Sequence, residues 1–384
     1  MAKVTLQEIA SLAGVTAATV HKALSNNKGV SDSKRKEIIE IAEHLNYAPY
    51  SNQFNKHKII ATLFPEPVGE DKYFYQYIWA GIAAREDELK SSDCKVIKIS
   101  FDGTIEDQLD KMETILKIYG NSIHGLMTII WEESRFLNII ERFDQLGIKV
   151  FTISADAPYS CRAFTLMANA YRTGRLAAEY LGSILHDDFG RVMIIGTKRD
   201  AYNHSNMVRG FYDQMNISNP KIQVIEVYES KKYPERLEQT VHEFMTRFDD
   251  IKGIYTNNAR TTVQIINALK KECLNRKIIF IGSEVFHETI EAMKDGTMQA
   301  IIDQNAYGQA YDGLSLAFKY LKNNKTKFKS VYQKTGQLYL NSNISPENDD
   351  LIEPNPHIVL NKEFNTQLKR YQLSHVEDTT KTDS

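Results

Sequence analysis

Apolar positions in the first fifty residues recur at helical spacing in short runs. Leu6 to Ala13 and Thr16 to Leu24 flank Gly14-Val15, and Ala10, Gly14 and Val20 stand at the spacing of a helix-turn-helix. Ala10 is small where two helices would cross closely. Gly14 can take the positive φ of a tight turn, and Val20 would bury the back of the second helix. That leaves Thr16, Ala17, Ala18, His21 and Lys22 facing outward, as on a helix that enters a major groove. A third helix follows, with Ser31 as its N-cap, a stripe of Ile38, Ile41, Ala42 and Leu45, and a stop at Asn46 and Pro49. Tyr50 to Lys58 is polar and irregular and reads as a linker.

From Ile59 the pattern alternates between apolar strands and amphipathic helices. Strands are expected at Ile59-Phe64, Val96-Phe101, Gly125-Ile130, Lys149-Ile153, Val192-Ile195, Gln223-Tyr228, Gly253-Thr256, Ile278-Ile281 and Ala300-Asp303. Helix-length segments lie between most of them, such as Tyr75-Lys90, Ile105-Tyr119, Ser134-Leu146 and Thr173-His186. Repeated βα units imply an α/β fold of parallel sheets covered by helices on both faces, with ligands beyond the carboxyl ends of the strands. The expected division is a head at 3–49, a linker at 50–58 and a two-lobed body at 59–340. Its lobes fall at roughly 59–160 and 161–330, the chain crosses back near 304, and an extension with a polar, disordered end covers 341–384.

Composition narrows the class. Of 384 residues 42% are hydrophobic and 25% charged, enough for a sizeable core. No apolar run approaches the roughly 20 residues that span a bilayer, and the N-terminus lacks a signal-peptide pattern, so the expected location is the cytoplasm. Cys94, Cys161 and Cys273 are far apart, without metal-ligand spacing, and are read as buried small apolar residues. A net charge of −2 excludes bulk electrostatic coating of nucleic acid. A local excess of lysine and arginine in the head suits a few phosphate contacts. The chain carries no P-loop, dinucleotide fingerprint, metal cluster or nucleophile elbow, so neither an enzyme nor a cofactor is expected.

The head string Val4-Thr5-Leu6-Gln7-Glu8-Ile9-Ala10, Ala13-Gly14-Val15-Thr16, Thr19-Val20, Val30-Ser31 and Leu45-Asn46-Tyr47-Ala48-Pro49 closely resembles the LacI/GalR (lac-repressor-like) family of bacterial transcription regulators. In the body, Gly174-Arg175-Leu176-Ala177 and Asp303-Gln304-Asn305-Ala306-Tyr307-Gly308 are similar to that family as well. The resemblance implies a helix-turn-helix head on a periplasmic-binding-protein-like body, acting as a homodimer on a near-palindromic operator. It also implies that Ala17, Ala18 and Lys22 look at base edges while Thr5, Thr16, Thr19, Ser31 and Tyr47 hold phosphates. Lys22 is the expected direct reader, since an ammonium can donate to guanine O6 and N7. His21 stands where the family usually has a small hydroxyl residue and is a candidate for base or phosphate contact. The linker departs from the family by lacking the leucine that wedges into the minor groove; Phe54 is its sole apolar wedge.

A sugar site of this architecture needs aromatic faces for apolar ring faces, and carboxylates, amides and guanidinium groups for hydroxyls. Candidates near strand ends are Phe74, Tyr75, Trp131, Asp156 and Asn169 in the first lobe. In the second they are Asn203, His204, Arg209, Asn257, Asn258, Glu284 and Gln304. The leading expectation is a repressor whose operator binding is controlled by a small-molecule effector, a sugar or sugar derivative. A co-repressed regulator and a cytoplasmic sugar or nucleobase receptor without a transcriptional role are the alternatives.

Overall fold

A computed structural model describes residues 4–24, 29–45, 57–69, 72–89, 92–120, 122–185, 189–196, 202–228, 235–271, 278–323 and 327–344. Two compact units divide near residue 59, the head unit also taking in 89–95.

In the head, α1 (Leu6–Ala13), α2 (Ala17–Leu24) and α3 (Asp32–His44) close a small core. Thr5 and Glu8 start α1 with a reciprocal capping box: the Thr5 amide donates to Glu8 Oε2 at 2.7 Å and the Glu8 amide donates to Thr5 Oγ1 at 3.4 Å. Gly14 ends it in the left-handed region at φ 62°, the conformation the turn requires. Ile9, Ala10, Ala13, Val20, Ala23, Ile38 and Ala42 are buried together. Arg35 joins α3 to the end of α2 by donating to the Ala23 carbonyl at 2.8 Å, which satisfies one of the helix's terminal acceptors.

The body holds two six-stranded sheets. β1 (Lys58–Pro65), β2 (Cys94–Phe101), β3 (Gly125–Thr128), β4 (Lys149–Ile153) and β5 (Phe164–Ala168) build the first. β6 (Gly190–Gly196), β7 (Ile222–Tyr228), β8 (Ile251–Thr256), β9 (Ile279–Ser283) and β10 (Ala300–Asp303) build the second. β11 (Val331–Lys334) and β12 (Gln337–Tyr339) complete them, giving the orders β11-β5-β4-β3-β1-β2 and β12-β10-β9-β8-β6-β7. β11 runs parallel to β5, whereas β12 runs antiparallel to β10. The helices are α4 (Lys72–Leu89), α5 (Ile105–Tyr119), α6 (Glu133–Gln145), α7 (Ala170–Leu185), α8 (Tyr202–Ser218), α9 (Glu235–Arg247), α10 (Ala259–Lys271), α11 (His287–Lys294), α12 (Ala306–Lys322) and α13 (Asn341–Ile344). Central strands such as β3, β5, β8 and β10 are buried along most of their length, because helices cover both sheet faces.

The sheets are internal repeats of one another. Ser154 after β4 donates its amide to the Leu166 carbonyl, and Glu284 after β9 donates its amide to that of Ile302. Both take left-handed backbone, at φ 66° and 68°. Asn169 after β5 and Asn305 after β10 each accept an amide with Oδ1, from Arg172 at 3.0 Å and Gly308 at 2.8 Å, and so cap the helix that follows.

The lobe boundary differs from the expected one at 161. β5 pairs in parallel with β4, so the first lobe continues to residue 168. Helix α12 returns to pack on β3, β4 and β5. The chain therefore crosses between sheets three times, after β5, after β10 and between β11 and β12. These crossings lie side by side: the Asn169 amide donates to the Lys334 carbonyl at 2.8 Å, and Asn169 Nδ2 donates to Gln333 Oε1 at 2.9 Å. A side chain at Gly336 would stand 2.9 Å from Thr173 Oγ1 and 3.5 Å from the Asp303 carbonyl.

Candidate functional site

On the head, the face of α2 away from the core carries Ala18, His21 and Lys22, all exposed. Ala17 is half-buried against the head core instead of standing clear. Thr16 caps α2, accepting the Thr19 amide at 3.2 Å, and the two hydroxyls lie 2.9 Å apart. Thr5, Thr16 and Ser31 are exposed and Thr19 is half-buried. Tyr47 and Phe54 lie outside the described residues.

In the body, the carboxyl ends of the first sheet gather rings. Phe74 meets Tyr75 edge-on at 5.3 Å, Tyr75 meets Trp131 at 6.3 Å, and Phe101, the last residue of β2, supports Trp131 at 5.7 Å. Trp131 is 41% exposed, so an indole face is open to a ligand ring. Phe101 was not singled out from sequence, although an aromatic closing a strand is the same signal that marked Trp131.

The second lobe supplies polar groups. Glu284, 2% exposed, accepts from Gln304 Nε2 at 2.7 Å and from the Gln304 amide at 3.3 Å. Burial, then the charge of Asp303 and a hydrogen bond with it, push the Glu284 carboxyl well above the usual carboxylate range. Tyr77 beside them is raised by burial and by the same two carboxyl groups. Asn257 accepts from Asn258 and shares a 3.0 Å hydrogen bond with His204 Nδ1, while its own Nδ2, buried, makes no hydrogen bond among the described residues.

The lobes meet across this cleft. The Tyr73 hydroxyl donates to Glu288 Oε1 at 2.8 Å and its ring lies 4.5 Å from that of Phe286. Asn203 Nδ2 donates to the Ser154 carbonyl. A relay runs between the two left-handed residues: Ser154 Oγ donates to Gln309 Oε1, Gln309 Nε2 to the Gln304 carbonyl, and Gln304 Nε2 to Glu284.

Four expected cleft residues have other employment. Asp156 forms an ion pair with Arg162, whose guanidinium also donates to the Ser330 carbonyl at 2.9 Å; their side chains are 8% and 6% exposed. Asn169 caps α7 and clips the crossings, and Asn258 caps α10 by accepting the Thr261 amide at 3.0 Å. Arg209 is exposed on α8, its guanidinium 5.1 Å from the Tyr171 ring centre. Two cysteines also differ from expectation: Cys161 is exposed and Cys94 half-buried, because Cys161 sits in a loop and Cys94 opens an outer strand, while Cys273 lies outside the described residues. Among the described residues no cluster of metal-type ligands occurs, and no helix is long and apolar enough to cross a membrane.

Comparison with known proteins agrees with this architecture. Residues 5–50 match the family "Bacterial regulatory proteins, lacI family", and residues 67–325, more than half of the chain, match "Periplasmic binding protein domain". A probable HTH-type transcriptional repressor ExuR of Bacillus subtilis is 45% identical over 49 residues, 13% of this chain and 15% of that protein. The HTH-type transcriptional regulator MalR of Streptococcus pneumoniae is 23% identical over 135 residues, 34% of this chain and 40% of that one. The matched stretches thus span less than half of these two curated relatives. Among solved structures, GanP, a glucose-galactose binding protein from Geobacillus stearothermophilus, superposes with a TM-score of 0.64 at 20% identity, covering 75% of this chain and 99% of that one. The chain belongs to the periplasmic binding protein domain family over more than half of its length, and that domain is preceded in sequence by a helix-turn-helix head of the lacI family type.

Proposed function

We propose that the protein is a ligand-controlled transcriptional repressor that binds a near-palindromic operator as a homodimer. The observation that carries this reading is one chain holding both an exposed α2 face of Ala18, His21 and Lys22 and a two-lobed cleft with rings on one side and hydrogen-bonding groups on the other. Two heads are needed because a single small head makes too few contacts for useful specificity. Lys22 reads base edges, His21 lies beside it, and Thr5, Thr16, Thr19 and Ser31 fix register on phosphates, with the capping hydroxyls of Thr5 and Thr16 already placed by their helices.

The effector is a sugar or sugar derivative: its ring stacks on Trp131 beside Phe74 and Tyr75, and its hydroxyls meet Glu284, Gln304 and Asn257. Names of relatives support this, since one is a glucose-galactose binding protein and others are transcriptional regulators. Ligand control requires unequal affinity for two lobe arrangements. The Tyr73–Glu288 and Asn203–Ser154 contacts hold the lobes together, and a ligand that touches both walls adds the inequality by binding that arrangement better. Release of DNA on sugar binding is the proposed sign, and access to DNA places the protein in the cytoplasm.

Selection of bound sites from genomic DNA, repeated with a panel of sugars and nucleobases, tests the reading. An enriched palindrome whose recovery changes with one ligand is expected, and no enrichment under any condition would sink it. Lys22→Ala should lose sequence preference by roughly tenfold or more, the worth of one good base contact, while affinity for random DNA changes little. Equal loss on both would assign Lys22 to phosphate.

A further inference from the structure

The two lobes repeat one another closely enough that the first shows what the second leaves out. Gly81 of α4 and Gly210 of α8 hold equivalent places. A Cβ at Gly81 would stand 2.3 Å from the Tyr307 carbonyl oxygen, and one at Gly210 would stand 2.0 Å from that of Tyr171. Tyr307 and Tyr171 are each the second residue of the helix capped by Asn305 or Asn169. Counting back from these glycines, Trp79 corresponds to Val208, and Tyr75 to His204.

In the first lobe the Trp79 indole closes the seam between helix and sheet, edge-on to Phe64 at 6.0 Å and donating to the Pro65 carbonyl at 2.8 Å. Val208 cannot reach so far. Where that bulk would lie, the second lobe has a cavity of about 460 Å³ between one face of α8 and the end of β7. Its mouth differs in the same way. Phe101 ends β2 buried beneath Trp131, but Tyr228 ends β7 38% exposed, because Ala259 occupies the position of Trp131 after the strand. Both tryptophans of the chain are thus answered in the second lobe by small residues.

A seam between helix and strand normally fills with apolar side chains. This one is walled by the rings of Tyr212 and Tyr228 and lined by His204, Arg209 and Glu226. The walls are fixed: the Tyr212 hydroxyl donates to the Val224 carbonyl at 3.1 Å, and that of Tyr228 to Glu226. Arg209 lies over the Tyr171 ring and forms no ion pair among the described residues. A guanidinium pre-placed by stacking suits a carboxylate or phosphate, and tyrosine faces suit a ring. The volume lies within the range of small-molecule sites.

We propose that this cavity is a second ligand site, touching the cleft between the lobes at His204 alone, for a sugar-sized ring compound bearing one anionic group held by Arg209. Its occupant touches the helix that bridges the lobes. Asn203, one residue before His204, donates to the Ser154 carbonyl, so this site bears on the same lobe contact as the cleft.

The test is calorimetric titration of the full-length protein with glucuronate, glucose 6-phosphate and neutral glucose. At least one of the two anions is expected to bind saturably, and which one binds separates a carboxylate from a phosphate ligand. Arg209→Gln should weaken that binding by about tenfold or more, as loss of a hydrogen bond to a charged group does. Val208→Trp, which gives the second lobe the first lobe's plug, should abolish it, while Trp131→Ala in the cleft should leave it intact. Binding of neither anion, binding that survives Arg209→Gln, or loss with Trp131→Ala would each overturn the proposal. Arg209 is exposed, so its variant keeps the test decisive even if the tryptophan variant fails to fold. DNA-site selection stands independently, so failure here and failure of the repressor reading are distinguishable.

Discussion

Gly125-Leu126-Met127-Thr128 and Gly253-Ile254-Tyr255-Thr256 form the same strand in the two lobes, and the chain then diverges, to Ile129-Ile130-Trp131 in one and Asn257-Asn258-Ala259 in the other. Each threonine is buried and locks its strand end. Thr128 Oγ1 donates to the Leu63 carbonyl at 2.7 Å, and Thr256 Oγ1 lies 2.7 Å from Thr262 Oγ1. One frame therefore carries two unlike surfaces, the first of rings and the second of hydrogen-bonding groups. The frame uses glycines, threonines and capping asparagines, which recur; the two lobes differ in the one to three residues beyond each strand.

The largest expected effect is on the first lobe. Asp156→Ala strands Arg162 in a nearly buried position and should cost about 3–5 kcal/mol, read from urea unfolding. A shift of one of two separate transitions would show that the lobes unfold independently; a shift of a single transition would show that they are one cooperative unit.

Next come the matched glycines. Gly81→Ala and Gly210→Ala push a methyl group against a helix backbone in their respective lobes, and each should lose about 1–3 kcal/mol. The second should suffer more, since its carbonyl is closer, 2.0 Å against 2.3 Å. If Gly81→Ala is neutral, the equivalence of the two helix crossings is broken.

The smallest effect is a change of slope. Ser154 and Glu284 hold the same left-handed position, but only Glu284 titrates, and its folded-state pKa is raised by burial first and by Asp303 second. The protonated form is the one the fold favours. Its contribution is fully present below the ordinary carboxylate pKa of about 4.3, and is lost as pH rises from there through the raised folded value. Glu284→Gln removes this dependence. The stability of the parent relative to the variant should fall as pH rises, measured by urea midpoints at a series of pH values, and a constant difference would exclude a buried, proton-binding Glu284.

Much of the frame was legible in the sequence because apolar periodicity reports burial, and burial here is set by sheets covered on both faces. Ile105–Tyr119 and Lys149–Ile153 match expectation to the residue. β5, β11, β12 and α12 were not expected. Phe164–Ala168 is a short apolar run, and nothing local distinguishes the last strand of one sheet from the first strand of the next. The boundary at 161 was displaced for that reason. The gathering of Phe74, Tyr75 and Trp131 at the strand ends follows from sequence position, because an aromatic just past a strand has few structural duties. Asp156, Asn169 and Asn258 make helix or loop ties that the sequence does not announce, because short polar side chains serve equally as ligand groups and as such ties. Arg162, which claims Asp156, lies beyond a loop whose path the sequence does not announce.

The three crossings also govern the order in which the molecule can be made. The first lobe lacks its covering helix until residues 306–322 are available and its outer strand until 331–334, both of which follow the entire run from β6 to β10. During synthesis the amino-terminal lobe must wait, incomplete, while the other is assembled. Contacts of such long sequence separation slow folding and leave apolar sheet surface uncovered in the interval. The second lobe, needing only β12 to finish, is the natural nucleus on which the first is closed.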